Sequence, residues 1–201
     1  RYNDSTHIIK LNLIGKVQFK NVLMAVIASI RSNINIKDIL NVIPKIKSVE
    51  GRFEQVGKIK NNSKVIVDYA HTPDALKTCL KDIKDQFVGH KINLVFGCGG
   101  NRDQNKRAKM GKIADLFSDK IYLTDDNPRL EQASKIRKEI KKGIKKQKVL
   151  EFPNRAKAIS EAIKHLKIGE ILIVAGKGHE NVQEIRGQKF FLSDKKIILD
   201  A

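Results

Sequence analysis

The residues best suited to chemistry stand together in one stretch, D-D-N-P-R at 125–129. An arginine such as Arg129 grips a carboxylate through two parallel hydrogen bonds, and a neighbouring aspartate can hold an ammonium group. The stretch therefore suits a ligand that carries both charges at one carbon, which is the head of a free amino acid. The alternative is a loop between a strand and a helix, in which Asp and Asn side chains cap the helix that follows.

Three further loops are rich in glycine and in polar residues that can contact a ligand. Each of the four loops follows a short apolar run of the kind that forms a buried strand. In a parallel sheet, ligands bind outside the carboxyl ends of the strands, so we expect all four loops to lie on one rim and to form a site. The other three loops are D-Y-A-H-T-P-D at 68–74, G-C-G-G-N-R-D at 97–103 and A-G-K-G-H-E at 175–180.

Apolar runs alternate with helical stripes along residues 63–201, which predicts βαβ units with right-handed crossovers. We expect an α/β fold with a mainly parallel, Rossmann-like sheet and flanking helices. Phe190-Phe191-Leu192 is predicted to be a late edge strand, and Ser193 to cap a final helix. The other predicted strands cover 65–67, 92–96, 121–123, 149–150 and 171–174.

The first 47 residues follow a different pattern. Apolar residues recur at helical spacing over 22–30 and 36–43, and the second predicted helix ends before Pro44. The segment offers no strands on which two such helices could pack. We therefore predict a domain boundary between 1–47 and 48–201, and exposed apolar faces on both helices.

The composition is that of a globular chain, with 41% hydrophobic and 31% charged residues. The formal net charge of +18 would favour nucleic acid or another anionic partner. However, the excess is mostly lysine scattered along predicted helices, and aromatic residues, which stack on single-stranded bases, make up only 5% of the chain. We expect no nucleic-acid partner, and a basic binding module stays open as the second interpretation.

Cysteine content and hydropathy indicate the compartment. Cys79 falls on the apolar stripe of a predicted helix and Cys98 in a glycine turn, so we expect two buried thiols and no disulfide framework. No apolar run is long enough to span a membrane, and no signal peptide is recognised. We expect a cytoplasmic protein without membrane association.

The sequence contains no known phosphate-binding loop. The glycines of 97–100 lack the third glycine of the G-x-G-x-x-G fingerprint, and G-x-x-x-x-G-K-[ST] is absent. A chain with no phosphate cradle cannot easily be a complete ATP-dependent enzyme. Asp68 and His71 are either a catalytic or nucleotide-contacting pair, or a turn cap beside a polar loop residue. His179 and Glu180 have no further ligand at a metal-binding spacing, so we expect no metal site there.

Taken together, the four loops resemble those of the Mur ligases, which form amide bonds in peptidoglycan synthesis. They are most similar to the members that add meso-diaminopimelate to UDP-N-acetylmuramoyl-L-alanyl-D-glutamate, in which D-N-P-R selects the amino acid. The resemblance covers 48–201 as the family's C-terminal domain and extends weakly into 11–47 as the end of its central ATP-binding domain. The motifs that carry it are V-D-Y-A-H-T-P-D-A-L at 67–76, F-G-C-G-G-N-R-D at 96–103, T-D-D-N-P-R at 124–129 and A-G-K-G-H-E at 175–180.

The resemblance implies roles for nine residues. Diaminopimelate has an amino-acid head at each end, so two arginines can pair with its carboxylates while Glu180 and Asp126 take its ammonium groups. Lysine lacks the second carboxylate and would leave an arginine desolvated and unpaired. The positions that match diaminopimelate contacts are Arg102, Asp126, Asn127, Arg129, Gly176 and Glu180. The positions that match ATP contacts are Asn21, Arg52 and Asp68.

The implied reaction needs parts that this sequence lacks. ATP and magnesium would be bound mainly by the central domain and the UDP-N-acetylmuramoyl-dipeptide by further domains, and the amine of diaminopimelate would attack an acyl phosphate. We expect the chain to be the C-terminal portion of a monomeric ligase and not to turn over alone. Gln18 and Asn101 depart from the family pattern, which has Asn and Asp there. Another amide ligase, such as a folate-polyglutamating enzyme, is the remaining alternative, although D-N-P-R and K-G-H-E argue against it.

Overall fold

The computed structural model describes residues 6–57, 63–146 and 149–201. The described helices are α1 Lys16–Arg31, α2 Ile36–Val42, α3 Pro73–Gln86, α4 Asn105–Phe117, α5 Ala133–Lys141, α6 Arg155–Lys164 and α7 Asp194–Asp200. The described strands are β1 Glu54–Gln55, β2 Lys64–Asp68, β3 Ile92–Phe96, β4 Lys120–Thr124, β5 Val149–Phe152, β6 Ile171–Ala175, β7 Val182–Ile185 and β8 Gln188–Phe191. None of these helices is long and apolar enough to cross a membrane.

The main sheet has six strands in the order β1-β2-β6-β3-β4-β5. Strands β2 to β6 run parallel, and β1 pairs antiparallel with β2 at one edge. Strand β6 lies between β2 and β3, with Ile173 beside Ile66 on one side and Leu94 on the other. The predicted α/β fold with a mainly parallel sheet is confirmed.

Helices cover both faces of the sheet, which explains why its central strands are mostly apolar and buried. Every residue of β6 is buried. Because side chains alternate along a strand, Ile66 and Ile173 pack on one face with Leu76 and Leu80 of α3, while α6 and α7 cover the other face. The buried residues of this second face include Val65, Val67, Val95, Tyr122, Leu172, Val174, Ala158, Ile159 and Ile198.

Side-chain caps stand at the starts of α3 and α7. The Thr72 hydroxyl accepts from the backbone N–H of Ala75, and Pro73 occupies the first turn of α3. The Ser193 hydroxyl accepts from the backbone N–H of Lys196, which confirms the predicted cap of α7. These caps satisfy N–H groups that a helix start leaves without partners.

The predicted late edge strand is present, but it does not join the main sheet. It is β8, which pairs antiparallel with β7 in a separate two-stranded sheet. The sequence did not reveal β7, because its residues V-Q-E-I are few and half polar. One parallel bridge, between Arg129 and Ile185, ties this hairpin to the loop after β4.

The two predicted N-terminal helices are also present. The apolar face of α1 is exposed as expected, but that prediction is wrong for α2, because Ile39 and the following Ile43 are buried. No residue of α1 is buried, and Leu23 and Met24 are 59% and 65% exposed. The chain just before α1 is tied to the end of α3, since the backbone N–H of Gly15 donates to Gln86 Oε1 at 2.9 Å. The boundary at residue 47 stays a prediction.

Candidate amino-acid site

The four polar loops lie on one rim, as the sequence predicted. The strands that precede them, β2, β6, β3 and β4, are neighbours in the sheet and run parallel. Their carboxyl ends surround a cavity of about 530 Å³. The residues lining it are Tyr69, His71, Thr72, Pro73, Gly97, Cys98, Gly99, Arg102, Asp103, Lys106, Lys109, Asp126, Asn127, Arg129, Gly176 and Glu180.

The glycine loop after β3 allows two of these loops to touch. A Cβ atom on Gly97 would lie 2.2 Å from the carbonyl oxygen of Thr124, and one on Gly100 would lie 2.0 Å from that of Pro128. No side chain fits at such distances. The backbone N–H of Gly100 instead donates to the carbonyl oxygen of Asn127 at 2.8 Å, so this loop holds the D-N-P-R segment in place.

The two adjacent aspartates of the opening stretch have different environments. Asp126 is buried and lines the cavity. Asp125 lies against α5, where it forms an ion pair with Arg137. Burial raises the pKa of the Asp125 carboxyl, and the hydrogen bond from Arg137 opposes that rise. Only one of the two carboxylates is therefore available to a ligand in the cavity.

Glu180 and Asn127 meet on the wall of the cavity. The Asn127 side-chain amide donates to Glu180 Oε2 at 3.2 Å, and the Tyr69 hydroxyl donates to Glu180 Oε1 at 3.2 Å. Burial and the nearby Glu180 carboxylate raise the pKa of Tyr69. Lys177, which no sequence argument singled out, lies beneath this pair and contacts both residues.

Arg129 has a positive φ of 53°, a conformation that residues other than glycine seldom adopt. Its backbone N–H donates to the carbonyl oxygen of Glu184 on β7. The guanidinium group is held at two of its nitrogens, by Glu184 Oε2 at 3.3 Å from Nε and by the carbonyl oxygen of Gly100 at 2.8 Å from Nη1. This anchoring leaves Nη2 without a partner among the described residues, so it is available to a carboxylate in the cavity.

Three more cations stand at the mouth of the cavity. Arg102 is exposed, and Lys106 and Lys109 line the same opening from α4. The Lys106 ammonium donates to the carbonyl oxygen of His71 at 2.8 Å, which joins α4 to the loop after β2. This side of the cavity favours an anionic group of a ligand.

A buried arginine supports the rim from below. Arg107 is fully buried, and its Nη1 and Nη2 atoms each donate to Glu131 at 2.9 Å. It also contacts Glu139 on α5 and the carbonyl oxygen of Gly99. The Arg107 guanidinium lowers the pKa of the Glu131 carboxyl. The loops after β3 and β4 therefore share one charged support.

The three candidate ATP contacts do not line this cavity. Asn21 is exposed on α1. Asp68 is buried, and its carboxylate accepts the backbone N–H groups of Phe53 and Ala70 at 2.9 Å each. Burial raises the pKa of Asp68, and those two hydrogen bonds oppose the rise. The Cζ atom of Arg52 lies 4.5 Å from the centroid of the Tyr69 ring, so Arg52 contacts a residue of the cavity wall without lining the cavity.

Both cysteines are buried thiols. Cys98 is 4% exposed, and burial raises the pKa of its thiol to about 12. Cys79 is buried in the core. Among the described residues, no group of three His, Cys, Asp or Glu side chains is placed so that it could hold a metal ion such as magnesium.

The structure brings together all six residues predicted to hold an amino acid, and it adds three that the sequence did not reveal. Arg102, Asp126, Asn127, Arg129, Gly176 and Glu180 all line the one cavity. The additions are Tyr69, Lys177 and Glu184, which contact Glu180, Asn127 and Arg129. Tyr69 and Lys177 lie within the four loop motifs, and this is the only feature of the sequence that could have indicated a role for them. Glu184 lies outside the motifs.

The fold and the rim define an α/β protein whose strands end, at their carboxyl ends, on a cavity lined by side chains of both charges. The sequence model of the family described as "Mur ligase, glutamate ligase domain" matches residues 51–178. The chain therefore belongs to the Mur ligase family.

Individual relatives agree with this assignment. The chain is 42% identical over 188 residues to a UDP-N-acetylmuramoyl-L-alanyl-D-glutamate--2,6-diaminopimelate ligase of Rickettsia felis, covering 93% of this chain and 35% of that protein. A solved structure of a ligase of the same name has a TM-score of 0.75 at 32% identity and covers 98% of this chain and 40% of that one. The MurF ligase of Thermotoga maritima, solved in complex with ADP, shares the fold alone, with a TM-score of 0.61 at 16% identity over 94% of this chain and 38% of that one. The chain thus spans about two fifths or less of each relative.

Proposed function

We propose that this chain is the amino-acid-binding part of an ATP-dependent amide ligase that adds meso-diaminopimelate to UDP-N-acetylmuramoyl-L-alanyl-D-glutamate in peptidoglycan synthesis. The observation that carries the proposal is the charge pattern of the rim cavity. Two arginines and two carboxylates, those of Arg102, Arg129, Asp126 and Glu180, line it together. A ligand with a carboxylate and an ammonium group at each end matches this set.

The same pattern supports selection against lysine. Arg129 is fixed at Nε and Nη1 by Glu184 and Gly100, so its remaining nitrogen is oriented before a ligand arrives. A ligand without the second carboxylate would desolvate the remaining nitrogen, Nη2, without giving it an acceptor. Leaving a buried charged group unpaired costs about 1–3 kcal/mol or more, which corresponds to about a tenfold or larger preference for diaminopimelate.

The chain's share of the reaction is positioning. The cavity would hold diaminopimelate with its reacting amine toward the dipeptide, whose γ-carboxyl is activated with ATP elsewhere in the enzyme. Holding two reactants in order replaces a bimolecular encounter and accounts for a large part of catalysis. We propose that Asn21, Arg52 and Asp68 face the ATP side, with magnesium bound by residues outside this chain, and that the chain alone does not turn over.

We further propose a monomeric cytoplasmic enzyme that binds neither nucleic acid nor membrane. The acidic side chains of Asp103, Asp126 and Glu180 on the rim would repel a phosphate backbone. The alternative, a basic module that uses the net charge of +18, predicts DNA binding whose affinity falls steeply with salt. Fluorescence anisotropy with a short duplex at two salt concentrations distinguishes the two.

Calorimetric titration tests the amino-acid proposal on the chain itself. Wild type should bind meso-diaminopimelate at least about tenfold more tightly than L-lysine. Arg129→Met should remove most of this preference, because it removes the guanidinium and keeps the apolar stem. Arg31→Met is the matched control, since Arg31 is exposed in the last turn of α1. Equal affinity for the two amino acids, or binding of neither, contradicts the proposal.

A further inference from the structure

Lys177 is a charged residue with no exposed surface. It follows β6 between Gly176 and Gly178, and its side chain is 0% exposed. Its ammonium group donates to three acceptors, the carbonyl oxygen of Val182 at 2.5 Å, Asn127 Oδ1 at 3.2 Å and Glu180 Oε2 at 3.3 Å. A lysine ammonium has three protons, so all of them are used within the protein.

Because its three protons are all donated within the protein, Lys177 differs from the residues that would contact a ligand. A buried ammonium group is tolerated only when it is paired and fully hydrogen-bonded, and Glu180 supplies the opposite charge. Because no proton remains and no surface is exposed, the side chain cannot bind diaminopimelate directly. Its two side-chain partners, Asn127 and Glu180, both line the cavity. An effect of Lys177 on the ligand must therefore pass through them.

The orientation of the Asn127 amide depends on this contact. Asn127 Oδ1 accepts from Lys177 and from the backbone N–H of Glu184 at 3.0 Å, while its Nδ2 donates to Glu180 at 3.2 Å. Turning the amide by 180° would place the NH₂ group against two donors. One Nδ2 proton has no acceptor among the described residues, so the fixed orientation leaves it for a ligand carboxylate.

We propose that Lys177 is a positioning residue that sets the amide orientation of Asn127 and the side-chain position of Glu180 for amino-acid binding. The proposal rests on the function proposed above for the cavity. Asn127 and Glu180 are then ordered by the Lys177 ammonium group and not by the ligand. The site is then organised before diaminopimelate arrives, which reduces the entropy cost of binding.

The first experiment uses the wild-type chain without any ligand. In a protein labelled with ¹⁵N at lysine and asparagine, the Lys177 ammonium should give a slowly exchanging signal with cross-relaxation to Val182. The Asn127 Nδ2 proton that donates to Glu180, identified by its loss in Asn127→Ala, should be shifted away from the value of a free asparagine side chain and should exchange slowly. Asn127 amide protons with the shifts and the rapid exchange of a free asparagine side chain would overturn the proposal, whether or not the cavity binds an amino acid.

The second experiment removes the cation and keeps its stem. In Lys177→Met the Asn127 amide signals should move toward those of a free side chain, and the affinity for meso-diaminopimelate should fall about tenfold or more, the usual effect of losing a charged hydrogen-bond partner. Lys164→Met, at an exposed position of α6, should change neither the Asn127 amide signals nor the affinity for meso-diaminopimelate. Circular dichroism establishes that the variants are folded, and if Lys177→Met is not, the wild-type signals decide alone.

The outcomes separate this inference from the proposed function. If wild type binds no amino acid but Lys177→Met still releases the Asn127 amide, the ordering role stands as a structural fact and the proposed function fails. If wild type binds meso-diaminopimelate and Lys177→Met binds it equally well with an unchanged Asn127 signal, the function stands and the positioning role is wrong.

Discussion

At the scale of single residues, neighbouring side chains of the same type have separate roles. Asp125 and Asp126 are adjacent, yet Asp125 pairs with Arg137 of α5 and Asp126 lines the rim cavity. Glu180 and Glu184 also have separate roles, since Glu180 lines the cavity and Glu184 anchors the Arg129 guanidinium. The charge of a side chain thus indicates that it could bind a charged ligand. Its contacts within the protein decide whether it faces the cavity or supports a neighbouring residue.

The two aspartates give a matched pair of variants. Asp126→Asn should weaken binding of meso-diaminopimelate about tenfold or more, because a ligand ammonium loses a charged partner. Asp125→Asn should leave that affinity unchanged and lower the free energy of unfolding by about 1–3 kcal/mol, because it breaks a largely buried ion pair with Arg137. Calorimetry and urea denaturation measure the two effects. A loss of affinity in Asp125→Asn would show that the carboxylates are not separated as described.

At the scale of elements, fixed supports beneath the loops hold the rim in shape. The hairpin of β7 and β8 braces the D-N-P-R segment, since Gln183 Nε2 donates to the carbonyl oxygen of Asp126 at 2.7 Å and Arg129 pairs with backbone groups of Glu184 and Arg186. Helix α7 is joined to the end of β6 through Arg155, which contacts Asp194 and the carbonyl oxygen of Ala175. The hairpin and α7 lie after residue 181 and Arg155 lies in α6, so both supports are outside the four motifs.

The Arg155–Asp194 pair should be a major source of stability. Both side chains are fully buried, and Asp194 accepts two hydrogen bonds from the guanidinium group at 2.8 and 2.7 Å. Asp194→Asn should lower the free energy of unfolding by about 3–5 kcal/mol, because it leaves a buried charge without its partner. Lys195→Gln, which breaks two partly exposed ion pairs on the same helix, with Glu50 and Glu54, should cost about 2 kcal/mol or less. Similar urea midpoints for the two variants would contradict this assignment.

The ion pair between Arg107 and Glu131 should make the free energy of unfolding depend on pH. The hydrogen bond from Arg107 holds the pKa of Glu131 below its ordinary value of 4.5. A group whose pKa is lower in the folded state stabilises the protein above its unfolded pKa and loses that contribution as the pH falls through its folded pKa. Stability should therefore fall below about pH 4.5, and Glu131→Gln should make this fall shallower. Urea midpoints between pH 3 and 7 measure the slope, and identical slopes in the two proteins would contradict the prediction.

At the scale of the whole molecule, the sequence predicted the parallel sheet and the shared rim but not the strand order or the hairpin. Mostly apolar runs of about five residues predicted β3 and β6, because a strand buried on both faces needs apolar side chains on both. The insertion of β6 between β2 and β3 depends on packing between distant segments. The position of Lys177 could not be predicted either, since a lysine in a glycine-rich loop is ordinarily exposed.

The exposed apolar face of α1 should make the isolated chain associate. Leu23, Met24 and Ile27 are 59%, 65% and 45% exposed and lie within about one turn of the helix. Such a patch favours association, which the net charge of +18 opposes at low salt. Sedimentation velocity should therefore show association that increases with salt. Leu23→Glu with Ile27→Glu should abolish it without changing amino-acid affinity, whereas Val88→Glu, at an apolar residue that is 81% exposed after α3, should not. If salt has no effect on the wild type, the face of α1 does not drive association.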